Sequence, residues 1–419
     1  MEAYVGVDAC LDSIEREEGL QLAALVAANA LLASRVGHHD AAEAWFNLAI
    51  ERASDLESKA ALVYRSSLAA LRRGLTECIP RLEQYADLDS TLSAGLNATL
   101  ATAYVIADRQ HDAMRRAYRA RDILAGDAPA SQRTRTLYQI AYVALRTGQF
   151  EEAKTFARES VESARRHNDY DIAARGYSLL YELAHHIECD PRAALRYVEM
   201  VEACTAQSGD EAVRAWATMA GFYIEIEAGN LAAARVRESA LKAVDIVQSA
   251  ELTSGTLVPA QALRCAWRRD FAQAYRLVAE SGESQPTPEF RACRFAESAL
   301  FAAAAGNVED ARAAIESAEW TLSHSSCNCR ARIMALAYCT LATGLALGVE
   351  EAQQRLQRLE RLRDEASPPM DAIIVAVREV YENWRGASNH EALLDAFASL
   401  RVQYFGGISM MLEALPVPA

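Results

Sequence analysis

The sequence predicts an all-α fold in which antiparallel helix pairs follow one another along the whole chain. Alanine occurs 84 times in 419 residues, whereas glycine (19) and proline (10) are scarce. This composition favours helices and leaves few residues for turns and hairpins. Hydrophobic residues make up 51% and charged residues 24%, which is typical of a protein with a packed core. The third observation is a pattern of helix breaks that recurs at nearly even steps.

The breaks lie at residues 37, 74, 108, 148, 188, 229, 269, 306, 348 and 386. Their mean step is about 39 residues, which indicates a structural repeat. A helix pair cannot bury its apolar face alone, so about ten pairs stacked in series predict one continuous solenoid over residues 1–419. Within it, we expect residues 388–419 to cap the last pair or to contact a partner.

The unit around Gly148 shows how each pair is encoded. Four apolar residues fall at i, i+3, i+4 and i+7 before the glycine, namely Leu137, Ile140, Ala141 and Ala144. Gly148 is expected to end this helix, and Glu151 and Glu152 then lie in the first turn of the next, where the helix dipole favours negative charge. The inward stripe of that second helix consists of Ala153, Phe156, Ala157 and Ser160.

Prolines mark further helix starts. Pro191 is expected just inside a helix with Asp190 as its cap, and Pro368 opens a helix that runs to Trp384. Pro80 belongs to the first turn of its helix. Gly255 and Pro259 lie within an expected first helix at residues 249–268, so we predict a kink or an interruption there.

The glycine at the turn and the alanine five residues later resemble the tetratricopeptide repeat. The match is best at Gly37/Ala42, Gly148/Ala153, Gly229/Ala234 and Gly306/Ala311. This resemblance covers essentially the whole chain and implies a right-handed superhelical solenoid. The period is longer than the usual 34 residues, and the proline that ends standard units is mostly absent.

The longer period is more similar to the superhelical sensor domain of MalT-like bacterial transcription activators. In that class, the domain binds an inducer or inhibitory proteins and lies between a nucleotide-binding module and a DNA-binding module. We find neither a phosphate-binding glycine loop nor a helix-turn-helix here. The resemblance therefore implies a stand-alone relative of the sensor part, or a fragment.

In tetratricopeptide-like stacks the first helix of each pair lines the concave face, so aligning on the turns predicts which residues line a groove. The predicted groove residues are Arg135, Tyr138, Tyr142, Arg146, Arg175, Ser178, Glu182, His185, Trp216, Met219 and Tyr223. Aromatic and arginine side chains dominate binding hot spots. The alternative is that these side chains only pack between neighbouring repeats.

Three clusters have the residue types of a metal site. They are His38-His39-Asp40, then His185-His186 with Glu188, Cys189 and Asp190, and finally His324 with Cys327, Cys329 and Cys339. In the first cluster, helix capping by His39 or Asp40 is the simpler explanation. In the second, adjacent helical residues point in different directions, and the third lacks the paired C-x-x-C spacing of zinc sites. The common nucleophile, dinucleotide and zinc-protease motifs do not occur. We therefore expect no cofactor and no enzymatic activity.

The charge balance bears on the partners. The net charge is −14, which argues against direct nucleic-acid binding, although seven arginines in residues 108–135 could contact an acidic partner. The first twenty residues have no signal-peptide pattern, and the longest apolar run, residues 20–33, is too short for a bilayer. Nine cysteines fit a reducing cytoplasm with free thiols.

These observations predict a cytoplasmic scaffold that binds a protein or peptide in its groove, with a regulatory role. A sensor for a small-molecule inducer is the main alternative, and an enzyme on a helical scaffold is the second. An enclosed pocket would favour the small molecule, an open groove with exposed aromatic residues would favour the peptide, and a cleft of buried ionisable groups would favour the enzyme.

Overall fold

The computed structural model describes residues 39–53, 55–71, 75–90, 92–124, 130–243, 257–279, 288–325, 327–387 and 389–418. These residues form twenty α-helices and contain no β-strand. The predicted all-α class with consecutive helix pairs is therefore confirmed. The chain divides into two compact units, one up to Leu179 and one from Leu180.

The first unit contains seven complete helices and most of an eighth. Its helices are α1 (His39–Arg52), α2 (Leu56–Leu71), α3 (Ile79–Tyr85), α4 (Ser93–Ile106), α5 (Gln110–Leu124), α6 (Ala130–Arg146), α7 (Phe150–Arg166) and the larger part of α8 (Tyr170–Glu182). α4 packs against α5, and α6 packs against α7, as the two members of a pair. The first helices α2, α4 and α6 also pack on one another in sequence, which stacks the pairs.

The second unit begins at the end of α8, which continues into a π-helical turn at Leu183–Ile187. The helices that follow are α9 (Pro191–Ser208), α10 (Glu211–Glu227), α11 (Leu231–Ala243), α12 (Val258–Trp267), α13 (Phe271–Ala279), α14 (Pro288–Ala304), α15 (Val308–His324), α16 (Cys329–Leu347), α17 (Val349–Glu360), α18 (Pro368–Trp384), α19 (His390–Val402) and α20 (Gly406–Ala414). A short 3-10 turn at Arg363–Glu365 precedes α18.

The turns between the paired helices share one backbone feature. In eight pairs, the residue at the predicted break or directly after it has a positive φ, which ends the first helix. These residues are Asp108, Gly148, Cys189, Gly229, Arg269, Gly306, Gly348 and Gly386. The predicted break pattern is thus confirmed at these positions, while Gly37 and Gly74 lie outside the described residues.

The stripes and caps predicted for individual helices are also confirmed. Leu137, Ile140, Ala141 and Ala144 are buried on α6, and Ala153, Ala157 and Ser160 are buried on α7. The Asp190 carboxylate accepts a hydrogen bond from the Ala193 amide at 2.9 Å, and Pro191 is the first residue of α9. α18 runs from Pro368 to Trp384, and Pro80 lies in the first turn of α3.

One predicted irregularity falls partly outside the described residues. Gly255 is not described, whereas Pro259 is buried in the first turn of α12, where a missing amide hydrogen is tolerated. The helix predicted over residues 249–268 is therefore described only from Val258 onward.

The C-terminal segment packs more widely than a cap on the last pair. α19 packs on α18, and α20 contacts α10 and α12 in addition to α19. Gly406 and Gly407 lie against the last carbonyl groups of α10, where a Cβ on either residue would collide with the backbone. The Trp267 indole N–H donates a hydrogen bond to the Gly407 carbonyl at 2.7 Å. The single solenoid over residues 1–419 and its capping segment stay predictions.

Arg269 provides a test of the turn conformation. Its φ is 61°, a region in which a side chain costs about 1 kcal/mol relative to glycine. We expect Arg269→Gly to stabilise the protein by about 0.5–1 kcal/mol, measured by urea denaturation. The neighbouring Arg268 has a φ of −88°, so Arg268→Gly should destabilise instead. Equal effects of the two substitutions would contradict this explanation.

Candidate functional site

Six of the predicted groove residues lie in the first unit, on α6 and α8. Arg135, Tyr138 and Tyr142 are half-buried, and Arg146 at the end of α6 is exposed. They form one row because positions i, i+3, i+7 and i+11 share a helix face. The Arg146 guanidinium lies 5.2 Å from the centre of the Tyr142 ring, a distance that permits a cation–π interaction.

The other two residues of this unit lie on α8. Arg175 and Ser178 are half-buried, and the Arg175 Nε donates to the Asp171 carboxylate at 3.1 Å. Ser178 donates to the Ala174 carbonyl at 3.0 Å, so its hydroxyl is satisfied within the helix. We call Arg135, Tyr138, Tyr142, Arg146, Arg175 and Ser178 the first-unit row.

The remaining predicted residues belong to the second unit and do not share one environment. Trp216 and Tyr223 on α10 are half-buried, whereas Met219 and His185 are each only 1% exposed. His185 is buried rather than exposed to solvent, and the π-helical turn at Leu183–Ile187 gives the reason; its contact with a ligand stays a prediction. This turn holds an additional residue, so His186 rather than His185 becomes half-exposed.

His185 is part of a buried cluster of charged and polar groups. Its Nε2 donates to one carboxylate oxygen of Glu227 at 3.1 Å. The Arg330 Nη2 lies 2.7 and 2.9 Å from the two oxygens of the same carboxylate. Glu227 is 1% exposed and Arg330 is 5% exposed, so both charges are removed from water. Such a pair needs good geometry and further hydrogen bonds to offset its desolvation.

The protonation states follow from these contacts. Burial acts to raise the pKa of Glu227, but Arg330 and the hydrogen bonds from His185 and Tyr223 hold it at about 2. Burial and the nearby charge of Arg330 both lower the pKa of His185. Glu227 is therefore ionised at neutral pH, and His185 is neutral with its proton on Nε2.

A second buried pair lies next to the first, on α14. Arg294 donates through Nη1 to the Glu297 carboxylate. Burial raises the pKa of Glu297 to about 7, Arg294 opposes this, and the charge of Glu227 adds to it. Glu297 therefore changes protonation near neutral pH. We call His185, Glu227, Arg294, Glu297 and Arg330 the charged cluster.

Aromatic side chains surround the charged cluster. The Tyr223 ring lies 5.8 Å from His185, and the Phe290 ring lies 5.5 Å from His186. Trp216 packs edge-on against the buried Tyr181 at 5.2 Å. His186, Trp216, Tyr223 and Phe290 are all half-buried, and we call these four side chains the aromatic rim. The arrangement thus combines partly accessible rings with buried charges.

Three polar atoms of the charged cluster lack a hydrogen-bond partner among the described residues. They are the Arg330 Nη1, the Arg294 Nε and the His185 Nδ1. A buried polar atom without a partner costs about 1–3 kcal/mol. The two arginine atoms are donors, and the His185 Nδ1 is an acceptor because the proton of the neutral ring is on Nε2. These atoms are the strongest indication of a ligand in this unit.

The charged cluster was missed from the sequence, although a signal was present. Trp216, Tyr223 and Glu227 stand at positions i, i+7 and i+11, which share one face of a helix, so Glu227 continues the row on α10. Arg294 and Glu297 lie on a first helix that is dominated by alanine, whereas we looked for the groove on helices rich in aromatic and arginine residues. The pairing of Arg330 with Glu227 joins residues 103 positions apart, and no local pattern predicts it.

The described residues contain no group of three or more His, Cys, Asp or Glu side chains arranged to hold a metal ion. In the cluster of His324 with Cys327, Cys329 and Cys339, burial raises the pKa of Cys327 to about 11, which disfavours the thiolate that zinc requires. His38 lies outside the described residues. Within the described part of the chain, no helix is long and apolar enough to cross a membrane.

The comparisons define the class of the fold. The tetratricopeptide repeat family model matches residues 134–167, which span most of α6, the Gly148 turn and all of α7. Together with the helix pairs along the described residues, this match shows a tetratricopeptide-like helical-repeat fold. No curated protein sequence matches the chain. The finer resemblance to MalT-like sensor domains stays a prediction.

Two solved structures show the same fold. The first is the apo form of the quorum sensor NprR from B. thuringiensis, with a TM-score of 0.55 and 11% identity over 85% of this chain and 100% of that chain. The second is NprR in complex with its cognate peptide NprX, with a TM-score of 0.52 and 14% identity over 83% and 98%. At these identities the likeness concerns the fold alone.

The protonation of Glu297 gives a testable pH dependence. Since the pKa of Glu297 is raised in the folded state, its contribution to stability is fully present below the unfolded value of about 4.5 and is lost as the pH rises through about 7. We expect the contribution of Glu297 to the free energy of unfolding to fall between about pH 5 and pH 8, whereas His185, whose pKa is lowered in the folded state, acts in the opposite direction. Glu297→Gln removes the Glu297 contribution, so the free energy of unfolding of the wild type minus that of the variant should fall by about 1–3 kcal/mol over this range. Urea denaturation across the pH range measures it.

The control for this prediction is Glu309→Gln, because Glu309 is an exposed glutamate on the neighbouring helix α15. This variant should keep the wild-type pH dependence. A Glu297→Gln protein with an unchanged slope would show that Arg294, Glu227 and Arg330 balance the buried carboxylate at every pH.

Proposed function

We propose that this chain is a peptide-binding regulatory scaffold, with the peptide held on the first helices of its repeats. The observation that carries the proposal is the partly accessible aromatic rim next to buried arginine donors without partners. A fold similar to NprR, a quorum sensor seen with its cognate peptide NprX, supports the same ligand class.

The chemistry of the second unit suits a short peptide. Trp216, Tyr223 and Phe290 offer ring faces and edges to apolar side chains, and aromatic contacts of this kind dominate peptide hot spots. The charged cluster offers donors to polar groups of the ligand in a site of low dielectric, where hydrogen bonds are strong. A preorganised site limits the entropy lost on binding.

The first-unit row is a second candidate contact surface. Its arginines, Arg135, Arg146 and Arg175, are half-buried or exposed, so they are hydrated and suit electrostatic attraction of an acidic segment. Tyr138 and Tyr142 add apolar area between them. We propose this row because it lies on first helices, as the aromatic residues of α10 do. Its contribution to peptide affinity is measured separately from that of the second unit.

The small-molecule sensor remains the alternative function, and the buried unpartnered donors are what favours it. A small inducer would engage the charged cluster and leave the first-unit row unchanged. The absence of enzymatic activity, of cofactors and of direct nucleic-acid binding stays a prediction, as does the cytoplasmic location.

The test uses the purified full chain and a randomised synthetic heptapeptide mixture, with captured peptides sequenced by mass spectrometry. The most enriched peptide is then resynthesised with a fluorophore and titrated by anisotropy. We expect Trp216→Ala to weaken binding about 30-fold, since truncating an aromatic hot spot costs about 2 kcal/mol. A combined Arg135→Ala, Tyr142→Ala and Arg175→Ala variant reports on the first-unit row.

The matched control is Arg158→Ala, which removes an exposed arginine from the second helix α7. It should bind as the wild type does, and circular dichroism should show that every variant keeps its helices. Failure to enrich any peptide would overturn the proposal. Enriched peptides that bind all variants equally would show that neither surface is the binding site.

A further inference from the structure

The charged cluster contains more hydrogen-bond donors than the protein itself uses. Arg330 donates through Nη2 to Glu227, and its Nη1 has no partner among the described residues. Arg294 donates through Nη1 to Glu297, and its Nε has no partner there either. Both arginines are at most 5% exposed, so water does not readily satisfy these atoms from the surface. The unused donors belong to two cationic groups, which bind anionic acceptors most strongly.

The charge balance points in the same direction. Glu227 is ionised and compensates Arg330, while Glu297 is only partly ionised at neutral pH, so Arg294 is incompletely neutralised. The cluster therefore carries between zero and one excess positive charge. Tyr181, Tyr223 and Tyr338, which interact electrostatically with these carboxylates and arginines, are neutral because burial raises the pKa of each hydroxyl well above the usual value. An additional carboxylate would complete the balance.

The position of Arg330 is also fixed. Its guanidinium carbon lies 5.5 Å from the centre of the Phe405 ring, and its Nη2 is held by the Glu227 carboxylate. Phe405 is fully buried and directly precedes α20, which packs on α10 and α12. A guanidinium held in this way loses little entropy when a ligand binds to its remaining donor.

We propose that Arg294 and Arg330 form a binding site for a carboxylate group of the ligand. The inference rests on the proposed peptide-binding function and specifies the chemistry that the second unit recognises. The carboxylate comes either from the C-terminus of the peptide or from an aspartate or glutamate side chain. We do not expect the first-unit row to distinguish peptides with a carboxylate from peptides without one, because its arginines are hydrated and discriminate weakly between anions.

The choice of variants follows from the two pairs. Removing the charge of Arg330 would leave the buried Glu227 carboxylate without its counter-charge and strongly destabilise the unit. Arg330→Lys is therefore used, which keeps the charge and removes the Nη1 donor. Arg294→Gln is tolerated because Glu297 can bind a proton and become neutral. Arg264→Gln is the control, since Arg264 pairs with Glu238 at 2.9 Å in the same unit outside the cluster.

The experiment compares four randomised heptapeptide mixtures, with free or amidated C-termini and with or without acidic residues. Anisotropy competition should show at least tenfold tighter binding for the mixtures that carry the relevant carboxylate. Arg330→Lys and Arg294→Gln should reduce this ratio to near one, and Arg264→Gln should keep the wild-type ratio. A wild-type protein that binds all four mixtures equally would overturn the inference.

A second measurement separates this inference from the proposed function. Succinate and succinamide are compared as thermal-shift ligands of the full chain. Suppose that no peptide binds, but that succinate stabilises the protein, succinamide does not, and Arg330→Lys abolishes the effect. This result would support the carboxylate site and refute the peptide-binding function. If peptides bind but carboxylates give no preference and succinate no stabilisation, the peptide-binding function stands and the carboxylate site is wrong.

Discussion

The close approach of paired helices at small residues is the constraint on which the fold depends. Ala141 on α6 and Ala153 and Ala157 on α7 are at most 1% exposed, and alanine side chains let two helix axes come near without a gap. Between successive pairs, Gly344 on α16 makes room for the Trp384 side chain of α18, since a Cβ there would lie 2.8 Å from the indole ring. The high alanine content therefore reflects repeated helix contacts as much as helix propensity.

Much of the fold could be predicted because its signals are local. Gly148, Gly229 and Gly306 end their helices in the left-handed conformation, and Asp190 caps α9, within a few residues of the positions that encode them. The packing of α20 on α10 and α12 could not be predicted in this way. It depends on Gly406 and Gly407 meeting the end of a helix about 180 residues earlier, and such a contact has no local signature.

The candidate site was predicted only in part, for the same physical reason. Helical spacing placed Trp216 and Tyr223 on a common face of α10, where both are partly accessible. At His185 the same spacing did not give an accessible side chain, because a π-helical turn shifts the face by one residue. Arg330 was beyond reach altogether, since its partner Glu227 lies on a helix that is distant in sequence. Periodicity identifies faces of helices, but it does not identify which distant charges meet.

The two arginines of the charged cluster differ in what holds them. Arg330 is held by a carboxylate whose pKa of about 2 keeps it ionised, so this pair is permanent at any physiological pH. Arg294 faces Glu297, whose pKa of about 7 allows the pair to change its charge without unfolding the unit. A buried ion pair contributes little net stability, and replacing it by apolar residues is often neutral or stabilising. One arginine is always neutralised by its carboxylate, and the other has a carboxylate partner that can lose its charge. This combination adds little to the stability of a core, but it suits a site that must accept and release an anion. The asymmetry between Glu227 and Glu297 therefore fits the proposed carboxylate site.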